Sequence, residues 1–189
     1  MSEPVEARYQ TILKRYWGYD SFRPLQLDAI KSIASGQDTL VLMPTGGGKS
    51  IIYQVPTLAS TGVCIVITPL IALMKDQVDR LRKHRILAEA IHAGRSHREI
   101  DRILDNCIYG DVKFLYISPE RIDSEMFRMR CARMDVALIA VDEAHCISQW
   151  GYDFRPSYLQ IARLRDLCPN TPILALTASA TPKVAEDII

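Results

Sequence analysis

The sequence of 189 residues has no long apolar run, no excess of either charge and no closely spaced cysteines. No apolar stretch approaches the roughly 20 residues that a membrane-spanning helix needs, and the polar start, MSEPVEARYQ, is not a signal peptide. The net charge of +1 gives no overall field that would attract nucleic acid. None of the five cysteines forms a C-x2-C pair, so we expect no zinc in this chain, no disulfide framework, no membrane contact and a reducing, intracellular setting.

The sequence also lacks internal repeats, low-complexity tracts and a Pro/Ser-rich linker, which predicts one domain over residues 1–189. Apolar runs typical of strands lie at residues 40–43, 63–67, 87–91, 114–117, 136–141 and 173–176. Helical patterns alternate with them, at residues 5–16, 24–36, 68–81 and 96–106, and from residues 51, 118 and 182 onward. This alternation predicts an α/β fold of three layers, a mostly parallel sheet between two layers of helices. In such folds, ligands bind beyond the carboxyl ends of the strands.

Residues 40–50, LVLMPTGGGKS, join a strand pattern to a helical pattern through three consecutive glycines. Glycines allow backbone N–H groups to curl around a phosphate, and the following helix adds partial positive charge at its N-terminus. The pattern predicts a P-loop in which Lys49 reaches the β- and γ-phosphates and the Ser50 hydroxyl ligates Mg²⁺. Met43 stands where the strict pattern has glycine, and an incidental glycine-rich turn is the alternative. The predicted cradle comprises Thr45, Gly46, Gly47, Gly48, Lys49 and Ser50.

A pair of carboxylates, Asp142 and Glu143, comes directly after the apolar run at 136–141. Beside a P-loop, Asp142 is the natural partner of Mg²⁺, and Glu143 can polarise the water that attacks the γ-phosphate. Taken alone, the pair is more typical of solvated side chains at the start of a helix. His145 follows within one turn, where it is either structural or a relay between the nucleotide and other elements.

More than half of the tryptophans, tyrosines and phenylalanines lie in two short polar segments, residues 16–22 and 150–158. Core packing is the usual role of aromatic side chains, but a core would distribute them at strand or helix spacing. The second segment carries Trp150, Phe154 and Arg155, a combination suited to stacking on exposed nucleic-acid bases. The basic residues at 80–85, with Arg95 and Arg98, are more typical of a solvated helix face.

Together, the P-loop, the DEAH sequence at 142–145 and the segment SQWGYDFRPSY at 148–158 resemble a RecQ-family DNA helicase of superfamily 2. The similarity covers nearly the whole chain and implies a RecA-like motor domain that uses ATP and Mg²⁺ on single-stranded and duplex DNA. It implies that residues 1–36 carry an adenine-binding motif, in which Tyr19 stacks on the base, Gln26 pairs with its edge and Arg23 supports the pocket.

The resemblance also implies that an aromatic loop with Trp150, Phe154 and Arg155 couples DNA binding to ATP hydrolysis. Further DNA-facing or coupling positions occur in the stretches TPLIALMKDQV, YISPERI and LTASAT, and they are Thr68, Pro69, Pro119, Arg121, Thr177 and Ser179. Ser179 replaces a threonine of the common family pattern but keeps the hydroxyl. Helix starts such as those at Thr68-Pro69 and Pro119 readily bind phosphates.

The last helical pattern, capped by Thr181, ends at Ile188-Ile189, which we interpret as a truncation before a second RecA-like lobe. Family members need that lobe for an arginine finger, so we expect this chain to bind Mg-ATP and to hydrolyse it poorly. The parent protein is then a 3′-to-5′ DNA helicase, cytoplasmic in a bacterium or otherwise nuclear. An RNA helicase lobe and a nucleotide-binding module without turnover remain as alternatives.

Overall fold

The computed structural model describes residues 4–189, and residues 1–3 of the predicted domain lie outside the described residues. Its centre is a six-stranded sheet in which every neighbouring pair is parallel, in the order β1-β6-β5-β2-β4-β3. The strands are β1 Thr39–Leu42, β2 Val63–Ile67, β3 Ala88–Ile91, β4 Phe114–Ile117, β5 Val136–Val141 and β6 Ile173–Thr177. The predicted strands are therefore confirmed to within a residue or two.

Helical segments connect successive strands after β1, as the crossovers of a parallel sheet require. The α-helices are α1 Val5–Trp17, α2 Gln26–Ala34, α3 Lys49–Leu58, α4 Ile71–Lys83, α5 His97–Tyr109, α6 Glu125–Cys131, α7 Leu164–Leu167 and α8 Pro182–Ile188. Three 3₁₀ helices complete the fold, at Pro119–Asp123, Ala144–Ile147 and Pro156–Arg163. Within residues 4–189, no helix has both the length and the apolar character needed to cross a membrane.

The sheet is buried on both faces because alternate strand residues enter two separate cores. In β2, Cys64 and Val66 pack with helices α1 to α4, whereas Ile65 and Ile67 pack with α5, α6 and the 3₁₀ helices. Each fully buried isoleucine contributes about 1.5–3 kcal/mol relative to an exposed one, which makes this layer the main source of stability. The predicted three-layer α/β fold is confirmed.

Two predicted helix starts are wrong, and in both cases a local backbone conformation is the reason. Helix α2 begins at Gln26 and not at Pro24, because Leu25 adopts a left-handed conformation with φ of 71° that a continuous helix cannot contain. Helix α4 begins at Ile71 and not at Thr68-Pro69, because Leu70 is extended (φ −107°, ψ 108°). The predicted cap at Thr181 is present and accepts a backbone N–H group, and Ser96, at the predicted start of α5, also caps its helix.

The strands end in register, which brings distant sequence motifs to one edge of the sheet. The final residues Ile67, Ile91, Ile117 and Val141 of four neighbouring strands pair directly with one another along the sheet. Neighbouring strands lie about 4.8 Å apart, so the loops that begin after these residues stand side by side. This is the carboxyl edge at which the sequence predicts ligand binding.

Candidate functional site

The glycine loop between β1 and α3 adopts a backbone that favours glycine, through positive φ at Gly46 and Gly48 and a close approach at Gly47. Gly46 and Gly48 have φ of 78° and 86°, in the left-handed region that favours glycine. A Cβ at Gly47 would lie 2.6 Å from Met43 Cγ and 2.8 Å from the Pro44 carbonyl oxygen. A Cβ at Gly48 would lie 2.5 Å from Gln26 Nε2. The loop therefore has the curled backbone, open to the carboxyl edge, that the P-loop interpretation requires.

The cradle opens into a cleft of about 600 Å³ that combines both predicted nucleotide motifs with the carboxylate pair. Lys49 begins helix α3, and its Nζ donates to the Met43 carbonyl at 3.4 Å, so the ammonium group lies under the loop. The predicted site residues that line the cleft are Tyr19, Arg23, Gln26, Thr45, Gly46, Gly48, Lys49, Ser50, Asp142 and Glu143. Residues more than 90 positions apart in sequence thus meet in one cavity.

Gln26 links the adenine motif to the phosphate loop through hydrogen bonds of its buried amide. Its Nε2 donates to the Gly48 carbonyl at 2.9 Å, and its Oε1 accepts from the Arg23 backbone N–H at 2.8 Å. The Arg23 guanidinium donates to the Gly46 carbonyl at 2.7 Å. A glutamine amide has two donors and two acceptor lone pairs, so one of each remains for a purine edge. Tyr19 is more than half exposed at the rim.

The carboxylates after β5 have an unusual electrostatic setting. Removal from water, followed by repulsion from Glu143, raises the pKa of Asp142 from 3.8 to about 6. Lys49 and the Glu143 backbone N–H, which donates to Asp142 Oδ1 at 3.0 Å, oppose this rise without cancelling it. A desolvated carboxylate with incomplete compensation is the kind of group that a divalent cation stabilises. The structure thus has a donor set that fits Mg²⁺.

Buried His145 connects three parts of the site. The sequence alone did not decide whether His145 is structural or a relay. Its Nδ1 lies 2.8 Å from Thr177 Oγ1 at the end of β6 and 3.4 Å from Glu143 Oε2. Its ring also stacks on Tyr152, with centroids 4.7 Å apart and planes 19° apart. Tyr152 is a residue that the sequence interpretation did not assign to the site. The stack gives the DEAH segment a direct contact with the aromatic loop, residues 148–155.

The aromatic segment at residues 150–158, which includes most of this loop, is exposed only in part and is not uniformly a base-stacking surface. Trp150 is 65% exposed and Tyr152 is 79% exposed, whereas Tyr158 is fully buried and donates from its hydroxyl to the Asp142 carbonyl at 2.9 Å. Lys183 Nζ lies 3.4 Å from the centre of the Trp150 ring, a cation–π contact with α8. Arg155 is paired with Asp153 at 3.2 Å.

The interpretation of clustered aromatic residues as non-core was therefore wrong for some of them. Tyr158 lies in the core because its 3₁₀ helix packs against the 3₁₀ helices at 119–123 and 144–147 and against α7. In the first segment, Tyr16, Trp17 and Phe22 pack against the core formed by helices α1 to α4. Large aromatic rings are efficient apolar filling even in short irregular segments, and spacing cannot reveal this.

The remaining predicted positions lie in loops at the same edge. Thr68 follows β2 with its Oγ1 buried and, within residues 4–189, without a hydrogen-bond partner. Pro119 begins a 3₁₀ helix, and the Arg121 guanidinium donates to the His92 carbonyl at 3.4 Å. Residues 69 and 179 are in the adjoining loops, and the Ser179 N–H donates to Thr177 Oγ1 at 3.3 Å.

Helix α4 contributes cleft residues that the sequence interpretation assigned to a solvated face or left unassigned. Leu73, Gln77, Arg80 and His84 all line the cleft, at intervals of three or four residues. Such spacing places side chains on one helix face, which is the signal that could have identified them. The His84 ring also lies 6.0 Å from the Trp17 ring, next to the adenine motif.

The sequence of the chain matches the model of the DEAD/DEAH box helicase family over residues 23–188. The chain belongs to this family. It is 50% identical over 183 residues to the ATP-dependent DNA helicase RecQ of Bacillus subtilis, covering 96% of this chain and 31% of that protein. It is 42% identical over 191 residues to the ATP-dependent DNA helicase Q5 of Mus musculus, covering 97% of this chain and 20% of that protein.

The solved structure of the DUF1998 helicase MrfA bound to DNA and AMPPNP covers all of this helicase domain with a TM-score of 0.77. At 18% identity, and with 28% of that chain covered, this similarity establishes the fold. The domain spans between a fifth and a third of the length of the two curated relatives.

Proposed function

We propose that this domain is the ATP-binding motor lobe of a RecQ-type, ATP-dependent 3′-to-5′ DNA helicase. The observation that carries the proposal is the chain of contacts from the phosphate cradle to the aromatic loop. Lys49, Asp142 and Glu143 line one cleft, His145 lies next to Glu143, and Tyr152 stacks on His145. The relatives named above are DNA helicases by name, which supports DNA over RNA as the substrate.

In this proposal, Lys49 and the N–H groups of the glycine loop bind the β- and γ-phosphates of ATP. Ser50 and Asp142 hold Mg²⁺, which supplies positive charge against the charge that develops on the transferred phosphoryl group. Glu143 orients the attacking water and accepts its proton. Tyr19, Arg23 and Gln26 hold the adenine, and the Gln26 bond to Gly48 ties that recognition to the phosphate cradle.

Trp150, Phe154 and Arg155 contact single-stranded DNA, and Thr68, Pro69, Pro119, Arg121, Thr177 and Ser179 form the adjoining backbone-binding edge. Helix starts and loop N–H groups at a sheet edge suit phosphates, whereas aromatic side chains suit unstacked bases. His145 then transmits the state of Glu143 to Tyr152 and Thr177 through the contacts described above. This gives a physical route by which DNA binding changes the position of the catalytic carboxylate.

A second RecA-like lobe of the same protein is the proposed partner, and it would supply an arginine finger to the γ-phosphate. Such a finger contributes about 10³–10⁵ in turnover, so residues 1–189 alone should bind Mg-ATP and hydrolyse it slowly. The site of action is DNA inside the cell, in a bacterial cytoplasm or in a nucleus.

The test is ATP hydrolysis by the full-length protein with single-stranded DNA or RNA of matched sequence. We expect DNA to stimulate turnover strongly and RNA to have little effect. Trp150→Ala should weaken DNA stimulation without changing basal turnover, because base stacking contributes about 1–3 kcal/mol. Tyr109→Ala, at an exposed aromatic outside the site, is the matched control. Equal stimulation by RNA would instead assign the domain to an RNA helicase.

A further inference from the structure

Three side chains of different chemistry meet where the DEAH segment joins the aromatic loop. Cys146 Sγ lies 3.7 Å from His145 Nε2 and 3.8 Å from Asp153 Oδ2, and the three potential ligand atoms lie within 4.8 Å of one another. His145 is 2% exposed and Cys146 is fully buried, whereas the Asp153 side chain is 44% exposed. The cluster is separate from the Asp142 and Ser50 pair assigned to Mg²⁺.

The two spacings to Cys146 Sγ approach those in the ligand shell of a zinc-like ion. Zn–S and Zn–N bonds of about 2.3 and 2.0 Å, at a tetrahedral angle, place sulfur and nitrogen about 3.5 Å apart. The two distances to Cys146 Sγ are therefore already close to those of a metal-bound site. Asp153 lies on a partly exposed loop, and its carboxylate is within 4.8 Å of the His145 ring nitrogen.

The surrounding hydrogen bonds orient the three groups as a metal site requires. His145 Nδ1 faces the Thr177 hydroxyl and the Glu143 carboxylate, so its proton belongs on Nδ1 and the Nε2 lone pair faces Cys146. Arg155 donates to Asp153 Oδ2 from Nε at 3.3 Å and Nη2 at 3.2 Å. Metal-binding histidines and carboxylates are usually held by such outer contacts.

Without a metal, Asp153 Oδ2 accepts from Arg155, and the Cys146 thiol offers a single proton to the cluster. The Cys146 thiol can donate to His145 Nε2 or to Asp153 Oδ2, but not to both. A cation at the centre would engage all three groups at once. Sulfur and imidazole ligands favour Zn²⁺ or Co²⁺ over Mg²⁺, which prefers oxygen ligands only.

We propose that His145, Cys146 and Asp153 form a binding site for a zinc-like divalent metal ion that clamps the aromatic loop to the DEAH segment. On binding, the Cys146 S–H bond breaks, the proton leaves to solvent, and the thiolate, Nε2 and one Asp153 oxygen donate electron pairs to the metal. Water or another ligand completes the fourth position. No cysteine-pair spacing marks this site, which is why the sequence predicted none.

The metal site itself does not depend on the proposed function. Only the predicted effect of the metal on ATP hydrolysis rests on that function. A clamped loop cannot move when DNA arrives, so Zn²⁺ should suppress DNA-stimulated ATP hydrolysis while leaving nucleotide binding intact. A chelator should restore the stimulation.

The direct test is to titrate the metal-free chain with Co²⁺ in a buffer that contains a phosphine reductant, and to follow the titration by absorption spectroscopy. We expect a thiolate-to-cobalt charge-transfer band that saturates at one equivalent and disappears when Zn²⁺ is added. Cys146→Ser should abolish the band. Asp153→Asn, at a half-exposed position that tolerates substitution, should weaken Co²⁺ binding at least tenfold while circular dichroism stays unchanged.

Cys168→Ser is the matched control, because Cys168 Sγ lies 3.7 Å from Cys131 Sγ and forms the other close thiol contact among the described residues. It should leave the band unchanged. The proposal is overturned if the folded wild-type chain gives no charge-transfer band. It is also overturned if the band survives Cys146→Ser, if Asp153→Asn binds Co²⁺ as tightly as wild type, or if Cys168→Ser removes the band. In the full-length protein, Zn²⁺-insensitive DNA stimulation would refute the clamp, whereas absence of any DNA stimulation would refute the helicase function.

Discussion

Replacing Asp142 by asparagine should make the ligand-free domain more stable at neutral pH, although the same change removes a proposed Mg²⁺ ligand. Burial and Glu143 raise the pKa of Asp142 from 3.8 to about 6. At 1.36 kcal/mol per pKa unit, ionised Asp142 lowers the free energy of unfolding by about 3 kcal/mol. Asparagine keeps an oxygen that can accept the Glu143 N–H and carries no charge, so this cost disappears.

The stability gained by Asp142→Asn over wild type should increase with pH. Below pH 4, Asp142 is protonated in both the folded and the unfolded states, and its ionisation costs nothing. Between pH 4 and 6, the unfolded chain releases the proton before the folded chain does, so wild-type stability falls as pH rises. Above pH 6 the penalty is constant. Asp142→Asn should therefore gain little at pH 4 and up to about 3 kcal/mol at pH 7.

Urea unfolding at several pH values between 4 and 8, without Mg²⁺, measures this difference. Asp111→Asn is the control, because Asp111 is exposed and its substitution should change stability by less than about 0.5 kcal/mol at every pH. If Asp142→Asn is less stable than wild type at pH 7, or if its gain does not grow with pH, the electrostatic account of the site is wrong.

Three further substitutions test single contacts of the site. Gly48→Ala should lower the free energy of unfolding more than Gly36→Ala does, and it should also abolish nucleotide binding. Both glycines have positive φ, near 86° and 82°, but of the two only Gly48 approaches another side chain. Urea unfolding of the two variants isolates that clash, and equal losses would argue against the Gln26 contact. Tyr158→Phe should destabilise the domain by about 1–3 kcal/mol in the same assay, because the Asp142 carbonyl loses its donor. Glu143→Gln should keep nucleotide binding and lower turnover of the full-length protein by about 10²–10⁴; retained turnover would indicate another base.

The sequence predicts the parts of the fold and of the site that depend on neighbouring residues. Three glycines followed by Lys49-Ser50 specify the backbone of the loop, and an apolar run such as 136–141 specifies a buried strand. These features were confirmed because their causes are local: backbone freedom at glycine and burial of both strand faces.

The parts that the sequence did not predict depend on contacts between distant residues. The left-handed Leu25 shortens helix α2 and accompanies the bond from Gln26 to Gly48, 22 positions away. Tyr158 is buried because its 3₁₀ helix packs on the two other 3₁₀ helices and on α7, and Tyr152 joins the site by stacking on His145. Short 3₁₀ segments have no strong periodicity, so the pattern of residues 144–163 gave no structure in advance.

The central claim is that the cleft binds a nucleoside triphosphate through the glycine loop. Titration of residues 1–189 with a fluorescent ATP analogue and Mg²⁺ tests this claim most directly. We predict saturable binding by wild type, and at least a 10- to 100-fold weaker affinity for Lys49→Ala, since a hydrogen bond from a charged group contributes about 1.5–3 kcal/mol. Lys83→Ala, at an exposed lysine at the end of α4, should bind as wild type does. Equal affinity of wild type and a folded Lys49→Ala variant would contradict the assignment of the site.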